Sequence, residues 1–194
     1  MRFMLYGSDK SRFLKGIKSR AGKNGIKCEI TQTVKPNTFY VKDWETFKCD
    51  NHMSTHYDLE YPIPSVVQSV MTLISTQYGD ISGKTVLIIG RGNATKGLAN
   101  LLLHKNATPI ISHTRTENLS TLMLISDIII NAAPSLELDM YSPILSKKLV
   151  VDLVGKCDPY QYGKFIDSHS IGNMTIDIII DRMADLMSGV RKDL

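Results

Sequence analysis

The sequence lacks the features that mark several classes of protein. Its three cysteines, Cys28, Cys49 and Cys157, are scattered without C-x-x-C spacing, which argues against a disulfide framework and against a zinc site. No apolar run approaches the roughly 18 residues of a membrane span. The first residues are interrupted too early, by Gly7 and Asp9, to form a signal peptide. We therefore expect a cytoplasmic protein with no metal site and no membrane association.

The bulk composition is that of an ordinary globular protein. The 194 residues are 43% hydrophobic and 22% charged, which suffices for one domain or for two small ones. The net charge of +4 is concentrated between Lys10 and Lys27. Because Phe13 is the one aromatic residue among these basic residues and no binding motif accompanies them, we expect no nucleic-acid site there. A solvated helix face and an attraction for an anionic small substrate remain the two alternatives.

The stretch from Gly83 to Thr116 predicts a β-α-β unit. Thr85–Gly90 is a short apolar run rich in β-branched residues, which is typical of a buried parallel strand. A helix is expected from about Asn93 to Lys105, and a second strand over Thr108–Ser112. Such a unit is the core of many nucleotide-binding domains.

The turn of this unit indicates a dinucleotide site that prefers NADP. Gly90 and Gly92 would let the backbone approach a pyrophosphate, whose charge is attracted by the N–H groups at the helix start. An acid after the second strand would select NAD, whereas an arginine accommodates a 2′-phosphate. The sequence has Arg115 there, and Arg91 in the turn itself. The spacing to Gly97 is longer than the usual G-x-G-x-x-G, so a turn in an unliganded α/β domain remains the alternative.

Further motifs flank this unit in a fixed order. They are Tyr61–Ser65 (YPIPS), Gly83–Leu103, His113–Thr116 (HTRT), Ser126–Pro134 (SDIIINAAP), Val150–Leu153 (VVDL) and Ser168–Ile176 (SHSIGNMTI). From about residue 61 to the C-terminus the sequence thereby resembles the bifunctional methylenetetrahydrofolate dehydrogenase/cyclohydrolase family, known as FolD.

The resemblance implies an α/β fold with a truncated N-terminal α/β lobe and a Rossmann-like NADP-binding domain with a parallel sheet. We predict the folate-binding lobe over residues 1–64 and the NADP-binding domain, with its connector helix, over 65–172. Residues 173–194 are expected to form a C-terminal helix that packs back on the first lobe. Because only about 60 residues precede the connector, at least one βα unit of the family's first domain is expected to be missing.

The resemblance also implies the binding residues. Matching the family's motifs to this sequence gives cofactor contacts at Gly90, Arg91, Gly92, Asn93, His113, Thr114, Arg115, Ala132, Ala133 and Thr175. It gives folate contacts at Gln32, Asp43, Pro64, Gly172 and Thr175, with an exposed strand glutamine and an ordinary loop aspartate as the alternatives for Gln32 and Asp43. The N–H groups around Asn173–Thr175 are expected to open the last helix and face a ligand.

For catalysis, the family places a tyrosine and a lysine, spaced Y-x-x-x-K, on its first helix. Anchoring on Ser11 puts the lysine at Lys18 and the tyrosine position at Leu14, on one helix face with Ser11. We predict Lys18 as the catalytic lysine, with an ordinary surface lysine as the alternative. Because the tyrosine is absent, cyclohydrolase activity is expected to be weakened.

The function implied by the resemblance is NADP-dependent oxidation of 5,10-methylenetetrahydrofolate to the methenyl form. A cyclohydrolase step to 10-formyltetrahydrofolate would accompany it. A non-catalytic NADP- or folate-binding protein and a dehydrogenase of another small substrate, as in the shikimate dehydrogenase group, remain alternatives. We expect a folate as the partner and allow for a homodimer.

Overall fold

A computed structural model describes residues 2–6, 12–31, 40–42, 63–113 and 115–188. Gln32, Asp43 and Thr114, each predicted to bind a ligand, lie outside these residues. The chain divides into two compact units, one of Met1–Ser65 with Gly172–Leu194 and one of Val66–Ile171. In the described ranges, each helix is too short or too polar to cross a membrane.

The first unit contains a small mixed sheet and a helix. Its elements are β1 (Arg2–Tyr6), α1 (Arg12–Lys23), β2 (Lys27–Thr31) and β3 (Tyr40–Lys42). The strand order is β2-β1-β3, with β1 parallel to β2 and antiparallel to β3. Helix α1 follows β1 and leads into β2, whose described part ends at Thr31.

The core of the first unit forms between α1 and the last helix, α6 (Ser168–Ser188). The predicted apolar stripe of α1 is buried through Leu14, Ile17 and Ala21. These side chains cluster with Ile26 and Cys28 and with Ile176, Ile179, Ile180 and Met183 of α6. Burial of such apolar side chains contributes about 1.5–3 kcal/mol each, so this interface stabilises the unit.

The second unit alternates strands and helices. Its elements are α2 (Ser65–Tyr78), β4 (Thr85–Ile89), α3 (Asn93–His104), β5 (Thr108–Ser112), α4 (Leu119–Ile125), β6 (Ile128–Asn131), a 3₁₀ turn (Leu138–Tyr141), α5 (Ser142–Leu145), β7 (Leu149–Asp152), a second 3₁₀ turn (Pro159–Gln161) and β8 (Lys164–Ile166).

The five strands of the second unit form one parallel sheet in the order β5-β4-β6-β7-β8. All residues of β6 and β7 are buried, as the continuous apolar runs predicted. The predicted α/β, Rossmann-like fold is confirmed. Pro109 lies in β5, at an edge of the sheet, where a residue without an N–H is tolerated. Strand β8 was not predicted from the sequence.

The last helix begins five residues before the predicted start at Asn173. Asp167 caps it, because its carboxylate accepts hydrogen bonds from the backbone N–H of Ser170 at 2.8 Å and from the Ser170 hydroxyl at 2.7 Å. Gly172 and Thr175 consequently lie inside α6. The expectation that the N–H groups around Asn173–Thr175 open the helix is wrong, since those N–H groups belong to its interior turns.

Candidate cofactor-binding site

The carboxyl ends of β4 and its neighbours form a topological switch point. Strand β4 pairs with β5 on one side and with β6 on the other. The chain therefore leaves β4 toward one side of the sheet and continues from β5 to β6 on the other side, which makes the end of β4 the switch point. Open parallel sheets bind ligands outside the carboxyl ends of their strands, at such a point. The segments that follow β4, β5, β6 and β7 therefore define the candidate site.

Gly90 directs the chain out of β4 in a conformation that excludes other residues. Its φ is +121°, and a Cβ atom at this position would lie 3.0 Å from the backbone C and O atoms of Ala132. The Gly90 N–H donates to Ser112 O at 2.9 Å, and the Ala132 N–H donates to Ile89 O at 2.8 Å. Because Gly90 has no side chain, the turns after β4 and β6 can lie in close contact.

Gly92 leaves open space at the start of α3. It is the N-cap residue, with φ −72°, and a Cβ there would meet nothing within 4 Å. Having no side chain, Gly92 cannot cap the first N–H groups of the 12-residue helix. The Thr95 hydroxyl donates to Gly92 O at 2.7 Å and steadies the turn. A helix start with free N–H groups and room beside it fits a pyrophosphate.

The segment after β5 folds into a tight turn. The His113 N–H donates to the Thr116 hydroxyl at 2.9 Å, and the Thr116 N–H donates back to His113 O at 2.8 Å. The Arg115 N–H donates to His113 Nδ1 at 3.1 Å. Arg115 and Arg91 are both exposed. Since β4 and β5 are neighbours with Ile89 opposite Ser112, both arginines follow adjacent strand ends.

A buried carboxylate shapes the segment after β7. Asp152 is only 1% exposed, and its oxygens accept the backbone N–H groups of Val154, Lys156 and Cys157 at 3.0, 2.8 and 2.9 Å. Burial alone would raise the pKa of Asp152, but these donors hold the pKa below its ordinary value. Asp152 is therefore a carboxylate at neutral pH.

The thiol next to this carboxylate is held in its protonated form. Burial raises the pKa of Cys157 to about 12, and the negative charge of Asp152 adds to the effect. Tyr162 donates its hydroxyl to Asp139 at 2.6 Å, and burial together with this bond raises the pKa of Tyr162. Asp152 belongs to the motif Val150–Leu153 but was not among the predicted site residues. A buried strand that ends in an aspartate was the signal.

The sequence from residue 64 to residue 187 matches the family described as "Tetrahydrofolate dehydrogenase/cyclohydrolase, NAD(P)-binding domain". The chain belongs to this family. The match confirms the FolD resemblance and the expected dinucleotide cofactor.

Curated relatives support the same family. The bifunctional protein FolD of Clostridium acetobutylicum is 34% identical over 125 residues, which are 63% of this chain and 41% of that protein. The FolD of Clostridium botulinum strain Alaska E43 is 32% identical over 125 residues, 64% of this chain and 42% of that protein. The chain thus spans less than half the length of these FolD relatives.

Solved structures share the fold at low identity. FolD from Campylobacter jejuni aligns with a TM-score of 0.70 and 18% identity, over 96% of this chain and 86% of that chain. FolD of Trypanosoma brucei, in complex with NADP cofactor and inhibitor, aligns with a TM-score of 0.65 and 16% identity, over 97% and 86%. A chorismate mutase/shikimate 5-dehydrogenase fusion protein from Clostridium acetobutylicum aligns with a TM-score of 0.60 and 12% identity, over 99% and 100%. At these identities the alignments concern the fold.

The structure brings most of the predicted cofactor residues of this FolD-family domain to one edge of the sheet. Those at the carboxyl ends of β4, β5 and β6 are Gly90, Arg91, Gly92, Asn93, His113, Arg115, Ala132 and Ala133. Thr175, also predicted to bind cofactor, is 3% exposed inside α6 in the first unit. The roles of these residues stay predictions.

The remaining predicted residues lie in the first unit. Lys18 is exposed, whereas Leu14 is fully buried in the core, so the two side chains do not share the partly buried surface that the spacing suggested. Lys18 instead borders an open groove beside Cys28. Burial raises the pKa of the Cys28 thiol to about 11, while the positive charge of Lys18 opposes this effect.

Pro64 is buried at the start of α2, and an arginine holds the segment around it. The guanidinium of Arg182 donates to the Ser65 hydroxyl at 2.9 Å and also to Ile63 O. Ser65 is fully buried. Arg182 escaped the sequence analysis because no periodicity links a residue of the last helix to a segment so far away in sequence.

Proposed function

We propose that this protein oxidises 5,10-methylenetetrahydrofolate to the 5,10-methenyl form with NADP as hydride acceptor. The observation that carries the proposal is the glycine turn at the switch point. Gly90 packs against Ala132, and Gly92 leaves the start of α3 open, within a family whose matched domain binds NAD(P). Membership of the family supports a folate as the substrate.

The preference for NADP over NAD rests on charge. Arg91 and Arg115 follow adjacent strands, and the turn His113–Thr116 contains no acidic residue. An arginine at this position accommodates a 2′-phosphate, whereas the acid that would bind a 2′-hydroxyl is missing. A charge-assisted hydrogen bond is typically worth about 1.5–3 kcal/mol, so each arginine contact would contribute roughly tenfold or more to affinity.

The protein's part in the reaction is mainly positioning. When bound, NADP supplies the chemistry by accepting a hydride from the methylene carbon of the folate. The glycine turn, the helix start and the loops after β6 and β7 bind and orient the dinucleotide. Correct orientation alone can account for about 7–11 kcal/mol of a barrier, so the dehydrogenase step does not require an acid or base at Lys18.

We further propose that cyclohydrolase activity is reduced. Hydrolysis of the methenyl form needs proton transfers by a group tuned near neutral pH. The exposure of Lys18 and the burial of Leu14 in the tyrosine position both support weak hydrolysis. A positioned acid or base is typically worth about 10²–10⁴-fold, which sets the size of the expected deficit.

The formation of NADPH with methylenetetrahydrofolate as the sole substrate tests the main proposal. We expect NADPH to appear with NADP and much more slowly with NAD. Binding of NADP without turnover would instead favour a non-catalytic protein, and turnover only with shikimate would favour the other dehydrogenase class. Neither result is compatible with the proposed reaction.

The rate of methenyltetrahydrofolate hydrolysis by the parent, compared with its rate of NADPH formation, tests the second proposal, and two variants test the role of Lys18. The variant Lys18→Ala is compared with Lys15→Ala, which removes another exposed lysine of α1. If Lys18 is catalytic, only its replacement abolishes hydrolysis, while NADPH formation changes less. Equal rates in the two variants and the parent would show that Lys18 is a surface lysine.

A further inference from the structure

The turns after β6 and β7 are linked through side chains, with the Asp152 carboxylate at the centre. Asn131, fully buried at the end of β6, extends its Nδ2 group toward Asp152 Oδ1 at 3.4 Å and toward Cys157 Sγ at 3.8 Å. Its own Oδ1 accepts the N–H of Ala133 at 3.2 Å. Asp152 and Asn131 thus fix the turns after β6 and β7 through their hydrogen bonds.

The linkage continues to the glycine turn. Ala132, next to Ala133, is the residue whose backbone the Gly90 turn approaches most closely. The Lys156 ammonium group adds a second tie, since it donates to Pro134 O at 2.6 Å. The turns after β4, β6 and β7 are therefore connected through a series of contacts that begins at Asp152.

The position of this linkage indicates which half of a dinucleotide it serves. A dinucleotide lies across the switch point, with one half on each side. Arg91 and Arg115 follow β4 and β5 and mark the side of the adenosine half. The nicotinamide half would then lie over the ends of β6 and β7, where Asp152 and Asn131 fix the loops.

We propose that Asp152 is a positioning residue that preorganises the loops after β6 and β7 for the nicotinamide half of the cofactor. The proposal rests on the proposed function only in assuming that the protein binds NADP. Preorganised loops avoid the ordering that a ligand would otherwise impose on them. If Asp152 merely stabilised the fold, its effect would not distinguish between the two halves of the cofactor.

A matched aspartate serves as control. Asp127 lies at the amino edge of the same sheet, where its Oδ2 accepts the Thr85 N–H at 2.9 Å. It thus makes a similar carboxylate–backbone bond on the opposite side from the proposed site. Asp152→Asn and Asp127→Asn each neutralise one carboxylate with almost no change in volume.

The experiment is a calorimetric titration of each variant with NADP and with adenosine 2′,5′-bisphosphate, which lacks the nicotinamide half. We expect Asp152→Asn to weaken NADP binding about tenfold or more and to leave the bisphosphate within twofold of the parent. Asp127→Asn should leave both affinities unchanged. Arg115→Ala should weaken both, because the arginine acts on the adenosine half.

Equal losses for both ligands in Asp152→Asn, or no loss for either, would overturn the proposal. If Asp152→Asn fails to fold, amide hydrogen exchange in the parent protein tests the proposal instead. The amides of Val154, Lys156 and Cys157 should be protected before NADP is added and change little afterwards. Protection that arises only with NADP would also overturn it. A parent that binds no NADP would instead refute the proposed cofactor itself.

Discussion

The two edges of the parallel sheet in the second unit are built from similar residues but use them differently. At the amino edge, Asp127 binds the Thr85 N–H, and the Lys148 ammonium donates to Leu124 O at 2.9 Å and to Ser126 O. At the carboxyl edge, two glycines occupy the turn after β4. Gly90 allows a close approach to the backbone of Ala132, and Gly92 leaves open space beside the start of α3.

This difference shows how one sheet separates stability from binding. At the amino edge, Asp127 and Lys148 satisfy backbone groups of the turns, as Asp152 and Lys156 do for the turns after β6 and β7 at the carboxyl edge. At the carboxyl edge, the start of α3 has N–H groups that its glycine N-cap cannot satisfy, and two exposed arginines stand beside it. Substitutions at the two edges should therefore differ in kind.

The largest effect is expected at Gly90. Gly90→Ala forces a Cβ into a φ of +121° and to 3.0 Å from the backbone of Ala132. A strained residue of this sort costs about 1–3 kcal/mol, and NADP binding should be lost because the turn is displaced. Urea unfolding and NADP titration measure the two effects.

Gly92→Ala is the matched control for that substitution. Its φ of −72° is allowed for alanine and its surroundings are open, so stability should change by less than about 0.5 kcal/mol. NADP affinity should still fall, since the added methyl group occupies the space proposed for the pyrophosphate. Unchanged binding in Gly92→Ala would contradict that placement.

The next effect concerns the arginines of the carboxyl edge. Arg91→Ala and Arg115→Ala should each weaken NADP binding roughly tenfold and leave NAD binding nearly unchanged. Lys105→Ala, which removes an exposed positive charge at the end of α3 on the amino edge, is the control. The preference for NADP would have another origin if all three variants bound NADP equally well.

A smaller effect is expected at Lys148, where a substitution should lower stability but not NADP affinity. Lys148→Met removes the ammonium group that binds Leu124 O and Ser126 O but keeps the length of the side chain. The free energy of unfolding should fall by about 1 kcal/mol, as measured by urea denaturation. NADP affinity should remain that of the parent. A loss of NADP binding in this variant would show that the amino edge also contributes to binding.

The smallest change should appear at the Cys157 thiol. Its pKa is raised to about 12, first by burial and then by the charge of Asp152. Asp152→Asn removes that charge but keeps the burial, which is the larger cause, so the pKa of Cys157 should fall only part of the way to its ordinary value. The thiolate fraction at a given pH then rises, and the pH midpoint of alkylation, followed by mass spectrometry, should move down. An unmoved midpoint would mean that the charge of Asp152 does not reach the thiol.

The sequence predicted much of the sheet because β4, β6 and β7 are short apolar runs between turn residues. Thr108–Ser112 and the turn at Gly90 fall where the pattern placed them. The start of α6 was missed because the cap Asp167 precedes polar residues that read as a loop. Lys18 shows another limit, since spacing along a helix does not reveal whether a side chain at the edge of an apolar stripe is covered.

The contacts around Asp152 could not be predicted for a different reason. Its partners Val154, Lys156 and Cys157 contribute backbone groups, which every sequence contains. Only the path of the loop brings them to the carboxylate. The same holds for Arg182, whose partners Ile63 and Ser65 lie more than a hundred residues away in sequence.

Pro109 affects what the outer side of β5 offers to another strand. Among the described strands only β4 pairs with β5, so the other side of β5 is a free edge, and Ile111 on this strand is 47% exposed. A free edge with an apolar side chain is a template on which a strand of a second molecule can add. Pro109 contributes no N–H to such a ladder. The outer side of β5 therefore has one hydrogen-bond donor fewer at Pro109 than a strand without proline would have.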